Sequence, residues 1–279
     1  MTYKMLVSDL DETLLNDDGT VHPANIAAIK AAVAQGFKFV PNTGRSFNSV
    51  QTLLETLGLK DQAGQYVISY NGGAVVENKG NQVVLTRNMP FELAKQVFNA
   101  GVAVDSAIDV HIYTVDTLFI YNISETDHKY MAERGVPYVL MDSDDLSFLA
   151  TEQPIMKVIF EHPDLAVREQ IMATVIESVG AEQVEATYSS ERYVEFNYQG
   201  VDKGSASLML GEMLGIKQDE IIAAGDNSND LAMLKAVGLG VSVANGIPAV
   251  QEVADVITKR TNNEGAVAEI LERFVLTEQ

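Results

Sequence analysis

Four short polar segments interrupt otherwise apolar surroundings: Asp9-Leu-Asp-Glu-Thr, Asn42-Thr-Gly-Arg, Asp202-Lys-Gly-Ser and Gly225-Asp-Asn-Ser-Asn-Asp. Together they hold the residue types needed to pass a phosphoryl group to a carboxylate. Asp9 and Asp11 lie two apart, so one loop can present the first as a nucleophile and the second beside a leaving group. Asp226 and Asp230 supply oxygen ligands that could complete an octahedral Mg²⁺ site with Asp9. Thr43 offers a hydroxyl donor and Lys203 a point positive charge for the oxygens of the moving phosphoryl group. Each segment also has a plainer reading. Asp-x-Asp occurs in turns, helix caps and calcium loops, Asp226 or Ser228 can cap a helix, and a Thr-Gly turn or a lysine at a helix start is commonplace. The specificity lies in the combination.

Presenting these residues together requires elements that end at one place. Lys4 to Asp9 reads as a buried parallel strand opening into a loop at its carboxyl end, and Pro23 to Gly36 as a helix with Ile26, Ile29 and Val33 at helical spacing. A strand over residues 38–40 runs into the Thr43 segment, followed by a helix with Val50, Leu53, Leu54 and Leu57 and a third strand, Tyr66 to Ser69. This rhythm predicts a parallel sheet covered on both faces, with functional loops at the strands' carboxyl ends. The runs 74–76 and 83–85 then flank an Asn/Lys/Gly turn like a hairpin. Residues 86–198 read as an inserted α+β unit, with strands at 117–123, 155–160 and 193–198 and helices at 91–100 and 165–179. From Val201 the α/β rhythm resumes: a helix near 205–214, a strand over 220–224, a helix over 230–236, a strand over 239–243 and a last helix over 266–274. The expected architecture is an α/β, Rossmann-like core of residues 1–85 and 199–279 interrupted by an α+β domain of residues 86–198.

Composition narrows the function classes. In 279 residues there are 19 basic and 39 acidic side chains, a formal net charge of -20. That charge repels polyanions and anionic membranes, so no nucleic-acid or membrane partner is expected, whereas a phosphate can still bind through a divalent cation. The absence of cysteine excludes disulfides and thiolate chemistry and fits a reducing compartment. No apolar run is long enough for a signal peptide or a membrane span, which makes the cytoplasm the expected location. A monomer or weak homo-oligomer is the expected state. His22, His111, His128 and His162 show no metal-ligand spacing and are expected to be structural or exposed.

In their order and placement, the four segments resemble those of the haloacid dehalogenase superfamily of phosphatases. The long insertion resembles the C2-type α/β cap of the Cof-type, IIB branch, which includes many sugar-phosphate phosphatases. The resemblance spans the chain and implies a Mg²⁺-dependent phosphatase acting on small phosphorylated metabolites through an aspartyl-phosphate. By that resemblance Asp9 is the nucleophile and Asp11 the general acid/base, with its backbone carbonyl on the metal. Asp9 and Asp226 ligate Mg²⁺, Asp230 supports the metal site or Lys203, and Thr43, Gly44, Lys203 and Asn229 hold the phosphoryl group. Two positions depart from the family pattern: Glu12 stands where glycine is commoner, and Asn42 where a small residue is commoner.

Arg45 could reach the substrate or stand as a solvated charge, and Asn71 is foremost a turn signal. In the insertion, Lys157, Arg192, Glu195 and Asn197 are candidates for substrate contacts, against the alternative of a solvated sheet face. Rival functions are a phosphosugar mutase, a phospho-aspartate signalling domain and an idle binding protein. A signalling domain needs neither Asp11 nor a long insertion, and an idle protein would be expected to have lost a chemical residue.

Overall fold

A computed structural model describes residues 3–151, 154–189 and 191–276. The chain folds as two compact units, residues 1–86 with 201–279, and residues 87–200. The first unit opens with β1 (Met5–Ser8), α1 (Pro23–Ala34), β2 (Lys38–Pro41) and α2 (Gln51–Leu57), followed by β3 (Tyr66–Ser69), β4 (Ala74–Glu77) and β5 (Gln82–Thr86). Pro23 sits at the start of α1, where its missing N–H costs nothing, and Gly58 in the left-handed conformation ends α2.

The second unit comprises α3 (Phe91–Val102), β6 (Asp109–Thr114), β7 (Leu118–Tyr121), α4 (Glu125–Glu133), β8 (Val139–Leu140), β9 (Ile155–Glu161), α5 (Leu165–Val179), β10 (Val184–Ser189) and β11 (Tyr193–Tyr198). Its six-stranded sheet runs in the order β10-β11-β9-β6-β7-β8, antiparallel except for the β7–β8 pair. Alternate residues Val110, Ile112, Val158, Phe160, Val194 and Phe196 pack with Leu93, Val97 and Phe98 of α3 and Ile171 and Val175 of α5. The pattern follows from the two-residue period of a strand.

The chain then returns through α6 (Lys203–Met213), β12 (Ile221–Gly225), α7 (Leu231–Ala236), β13 (Leu239–Ser242), α8 (Pro248–Val253), β14 (Val256–Ile257) and α9 (Ala266–Phe274). The core sheet is wholly parallel in the order β14-β13-β12-β1-β2. β1 lies inside the sheet between β12 and β2, and all four of its residues are buried. Met5, Val7, Ile221 and Ala223 pack with Ala206 and Leu210 of α6 and Met233 and Leu234 of α7.

One expected strand lies elsewhere. β3 belongs to a separate antiparallel sheet, β3-β4-β5, and meets β2 only through a bridge between Asn42 and Ile68. The amides of Lys38 and Asn42 donate toward β1, to Lys4 O and Ser8 O, while that of Thr43 donates to Ile68 O. By alternation, residue 41 faces the β3 side, and as proline it has no N–H to give, so a longer ladder cannot form there.

Candidate active site

The four polar segments converge at the carboxyl ends of β1, β2 and β12 and the amino end of α6. Asp9 follows β1 directly, and its amide donates to Ala224 O at 2.9 Å. Lys203 begins α6 because the Asp202 carboxylate accepts from the amides of Gly204 and Ser205, both at 2.8 Å, capping the helix one residue earlier. Gly204 is required by close packing, since a Cβ there would lie 2.6 Å from Ala232 O. Asp230 reaches back under the loop after β12, where its Oδ2 accepts from the amides of Asp226 (3.0 Å) and Asn227 (3.1 Å). A side chain at 225 would collide with it, since a Cβ there would fall 2.5 Å from Asp230 Cγ.

These elements place a fully buried ammonium between two carboxylates. Lys203 Nζ donates to Asp9 Oδ1 and to Asp230 Oδ1, the latter at 2.7 Å. Asp226 is 3% exposed and accepts at Oδ1 from the Thr13 hydroxyl at 2.6 Å. One lysine among Asp9, Asp226 and Asp230 leaves two net negative charges in a buried space. Burial pushes Asp9 up to about 8, with Asp230 and Asp226 adding to the rise and Lys203 opposing it. Asp226 rises to about 6, chiefly by burial and further by the charges of Asp230 and Glu12, against the Thr13 hydrogen bond. Burial works against the Lys203 ammonium, but Asp9 and Asp230 outweigh it and hold its pKa above the ordinary lysine value.

This excess charge fits a divalent cation. Asp9, Asp226 and Asp230 each offer an oxygen, all within 4.8 Å of one another. Asp230 has both oxygens engaged, by Lys203 and by the two loop amides, so Asp9 and Asp226 are the better inner ligands and Asp230 the better support.

The remaining expected residues gather around this centre. Thr43 is buried and accepts the Arg45 amide at its Oγ1 (3.1 Å), and a hydroxyl that accepts still has its hydrogen to give. Gly44 packs against Asn71, 3.2 Å from where a Cβ would sit. Asn71 Oδ1 accepts from Asn229 Nδ2 at 3.4 Å. Arg45 grips Asp11 through two contacts, Nε to Oδ2 at 3.1 Å and NH2 to Oδ1, both side chains about half exposed. Arg45 is therefore paired with a candidate catalytic residue and is not a free solvated charge.

Glu12 takes φ +59, the left-handed region, and Asn245 Nδ2 donates to its carbonyl at 2.7 Å. Glycine would adopt this conformation freely, whereas a side chain costs about 1–2 kcal/mol. Nothing in the sequence singles out Thr13, although it lies in the Asp9 segment; its burial against Asp226 reveals its part.

Asn42 acts through another residue. Its Nδ2 donates to Lys203 O and Ser207 Oγ, both at 3.1 Å, while Ser207 Oγ donates to Lys203 O at 2.6 Å. The end of β2 is thus tied to the first turn of α6. Asn42→Ala removes these donors but also a buried Oδ1 that lacks a partner, so unfolding in urea should show a loss of only about 1 kcal/mol. Turnover should fall further than that, about tenfold in kcat, as Lys203 loses its alignment.

Residues 6–271 match the family of haloacid dehalogenase-like hydrolases. The chain is a haloacid dehalogenase-like hydrolase. This hydrolase is 32% identical to YxeH of Bacillus subtilis, provisionally named a phosphatase, over 98% of this chain and 99% of that one. It is 27% identical to the 5-amino-6-(5-phospho-D-ribitylamino)uracil phosphatase YcsE of the same organism, over 98% and 96% of the two chains. Among solved structures, TM0651 of Thermotoga maritima superposes on the hydrolase with a TM-score of 0.83 at 28% identity, covering 99% of each chain. Among the described residues, no helix is long and apolar enough to cross a membrane.

The candidates of the second unit form an organised polar face. Lys157 Nζ donates to Glu195 Oε2 at 2.7 Å, Ser189 Oγ donates to Glu195 Oε1, and Lys157 and Asn197 are under 10% exposed. Arg192 donates to Glu161 at 2.8 Å and lies over the Tyr130 ring at 4.7 Å. A solvated sheet face is excluded for Lys157, Glu195 and Asn197. His22 and His162 accept the amides of Ala24 and Asp164 near helix starts, and His128 meets the Tyr138 hydroxyl. His111 is buried between two carboxylates, which sequence spacing does not indicate.

Proposed function

We propose that this hydrolase is a Mg²⁺-dependent phosphatase of small phosphorylated metabolites, sugar phosphates foremost, working through a phosphoryl-Asp9 intermediate. The observation that carries the reading is the buried Asp9–Lys203–Asp230 row beside Asp226. An Asp9 carboxylate oxygen attacks phosphorus and the bond to the leaving oxygen breaks. Once its carboxyl group is released from Arg45 and protonated, Asp11 gives that oxygen a proton; a water then attacks the phosphoryl-Asp9 while passing its proton to Asp11, releasing phosphate and restoring the Asp9 carboxylate and the Asp11 acid. Lys203 and the Thr43 hydroxyl hold the phosphoryl oxygens, with Gly44 and Asn229 beside them, and Asp230 fixes the ammonium. Asp9 and Asp226, with the Asp11 carbonyl, would hold Mg²⁺, which when bound neutralises charge on the phosphoryl oxygens. Arg45 positions Asp11. Residues 86–198 serve as the cap that selects the leaving group, with Lys157, Arg192, Glu195 and Asn197 as its polar contacts. The lack of cysteine fits a cytoplasmic enzyme, and the net charge of -20 argues against nucleic-acid partners.

The test is phosphate release from sugar phosphates, nucleotides, pyridoxal phosphate and p-nitrophenyl phosphate, with Mg²⁺ or EDTA. Mg²⁺-dependent release is expected, strongest with a sugar phosphate. No release from any compound by folded, metal-loaded protein overturns the reading, and transfer only to a bisphosphate-activated sugar would make it a mutase.

The raised carboxylates set a pH dependence. Asp9 ordinarily titrates near 3.8 and here near 8. Between those values the metal-free folded protein holds a proton that the unfolded chain has lost, so its stability falls as pH rises. Mg²⁺ must displace that proton at lower pH, and its apparent affinity should rise up to about tenfold per pH unit between pH 6 and 8. Thermal melts should accordingly show a small Mg²⁺ increment at about pH 5.5 and a larger one at about pH 8.5. An increment independent of pH contradicts metal binding at Asp9.

A further inference from the structure

The second unit holds another convergence of ligating atoms, remote in sequence from the four segments. On the sheet face turned away from α3 and α5, β6 presents Asp109 and His111, and Asp127 of α4 meets them. His111 Nε2 lies 2.8 Å from Asp127 Oδ2 and 3.3 Å from Asp109 Oδ1, and all three residues are under 3% exposed. One oxygen of each carboxylate is already committed. Asp109 Oδ2 accepts the Ser124 amide at 2.8 Å, and Asp127 Oδ1 accepts the Tyr193 hydroxyl with Arg192 at 3.7 Å.

The other two oxygens turn toward His111, whose Nε2 carries at most one hydrogen and gives it to Asp127 at the shorter distance. Asp109 Oδ1 is left buried with no hydrogen-bond partner among the described residues. Such an orphaned acceptor calls for an ion or a water. Charge points the same way: around this cluster Asp109, Asp127, Glu161 and Glu195 face Lys157, Arg192 and, along the adjoining cavity, Arg134, four carboxylates against three cations. A cavity of about 180 Å³ lined by His111 and Tyr193 offers a way in.

We infer that Asp109, His111 and Asp127 form a divalent metal site distinct from the Asp9 centre. One imidazole and two carboxylates suit Zn²⁺ or Mn²⁺ better than Mg²⁺, and the Ser124 amide and Tyr193 hydroxyl orient the ligating carboxylates from behind. The competing occupant is a proton. Burial disfavours the His111 imidazolium, but Asp109 and Asp127 outweigh it and raise its pKa.

The experiment is Zn²⁺ titration by calorimetry, with metal content by mass spectrometry, on the full chain carrying Asp226→Asn to disable the core centre. About one Zn²⁺ per chain should bind, and adding His111→Gln should weaken it at least about 100-fold. Co²⁺ in the same site should show visible absorption that His111→Gln abolishes. Should His111→Gln fail to fold, the near-isosteric Asp109→Asn gives the same reading. Asp226→Asn protein that binds no Zn²⁺, or binds it equally with and without the second substitution, overturns the site and leaves His111 a protonated ion-pair partner. No turnover is measured, so failure of the phosphatase reading leaves this result intact, and the converse holds.

Discussion

Asp9→Asn should reduce phosphate release by on the order of 10⁴- to 10⁶-fold while leaving the fold in place. The amide keeps the shape of the side chain but cannot accept a phosphoryl group and release it to water. Stability should not follow activity downward. Asp9 is a buried carboxylate pushed up to about 8, so removing its charge relieves the metal-free protein at alkaline pH, while Lys203 keeps Asp230 as a partner. A melt unchanged or raised, beside a turnover lost, separates a chemical role from a structural one. Activity within about tenfold of the parent would assign the nucleophile elsewhere.

Lys203→Met should be the most damaging substitution for stability, costing about 3–5 kcal/mol above pH 8. The ammonium is fully buried and contacts Asp9 and Asp230; without it, two carboxylates remain with no cation beside them. The loss should shrink toward pH 5, where protonation of Asp9 removes one of the stranded charges, and Mg²⁺ should restore part of it at higher pH. Urea unfolding across that range checks the prediction. A pH-independent loss would mean that packing of the lysine stem, and not its charge, holds the site.

The core and its site are largely legible in the sequence because polar residues at strand ends stand out against apolar runs. Ser8 to Asp9 and Gly225 to Asp226 mark where buried strands stop, and the parallel order follows from alternating strands and helices. What escapes a sequence reading depends on contacts across the chain. Tyr66–Ser69 is apolar enough for a core strand, yet Pro41 on the neighbouring strand withholds the amide that would join it there. β6 is hidden because its second face is Asp109, His111 and Tyr113, which in sequence looks like a polar loop, and β10 because on this edge strand only Val184 is buried. The parts of Asn42 and Thr13 are hidden since their partners, Lys203 and Asp226, lie 161 and 213 residues away.

The most direct test of the central claim is a rapid acid quench of a single turnover with a sugar phosphate, followed by mass spectrometry of the peptide that contains Asp9. The account predicts one phosphoryl group on Asp9 that forms and decays within the turnover and is absent from Asp9→Asn. Turnover at full rate with no phosphoryl-enzyme, or with the group on another residue, would contradict it.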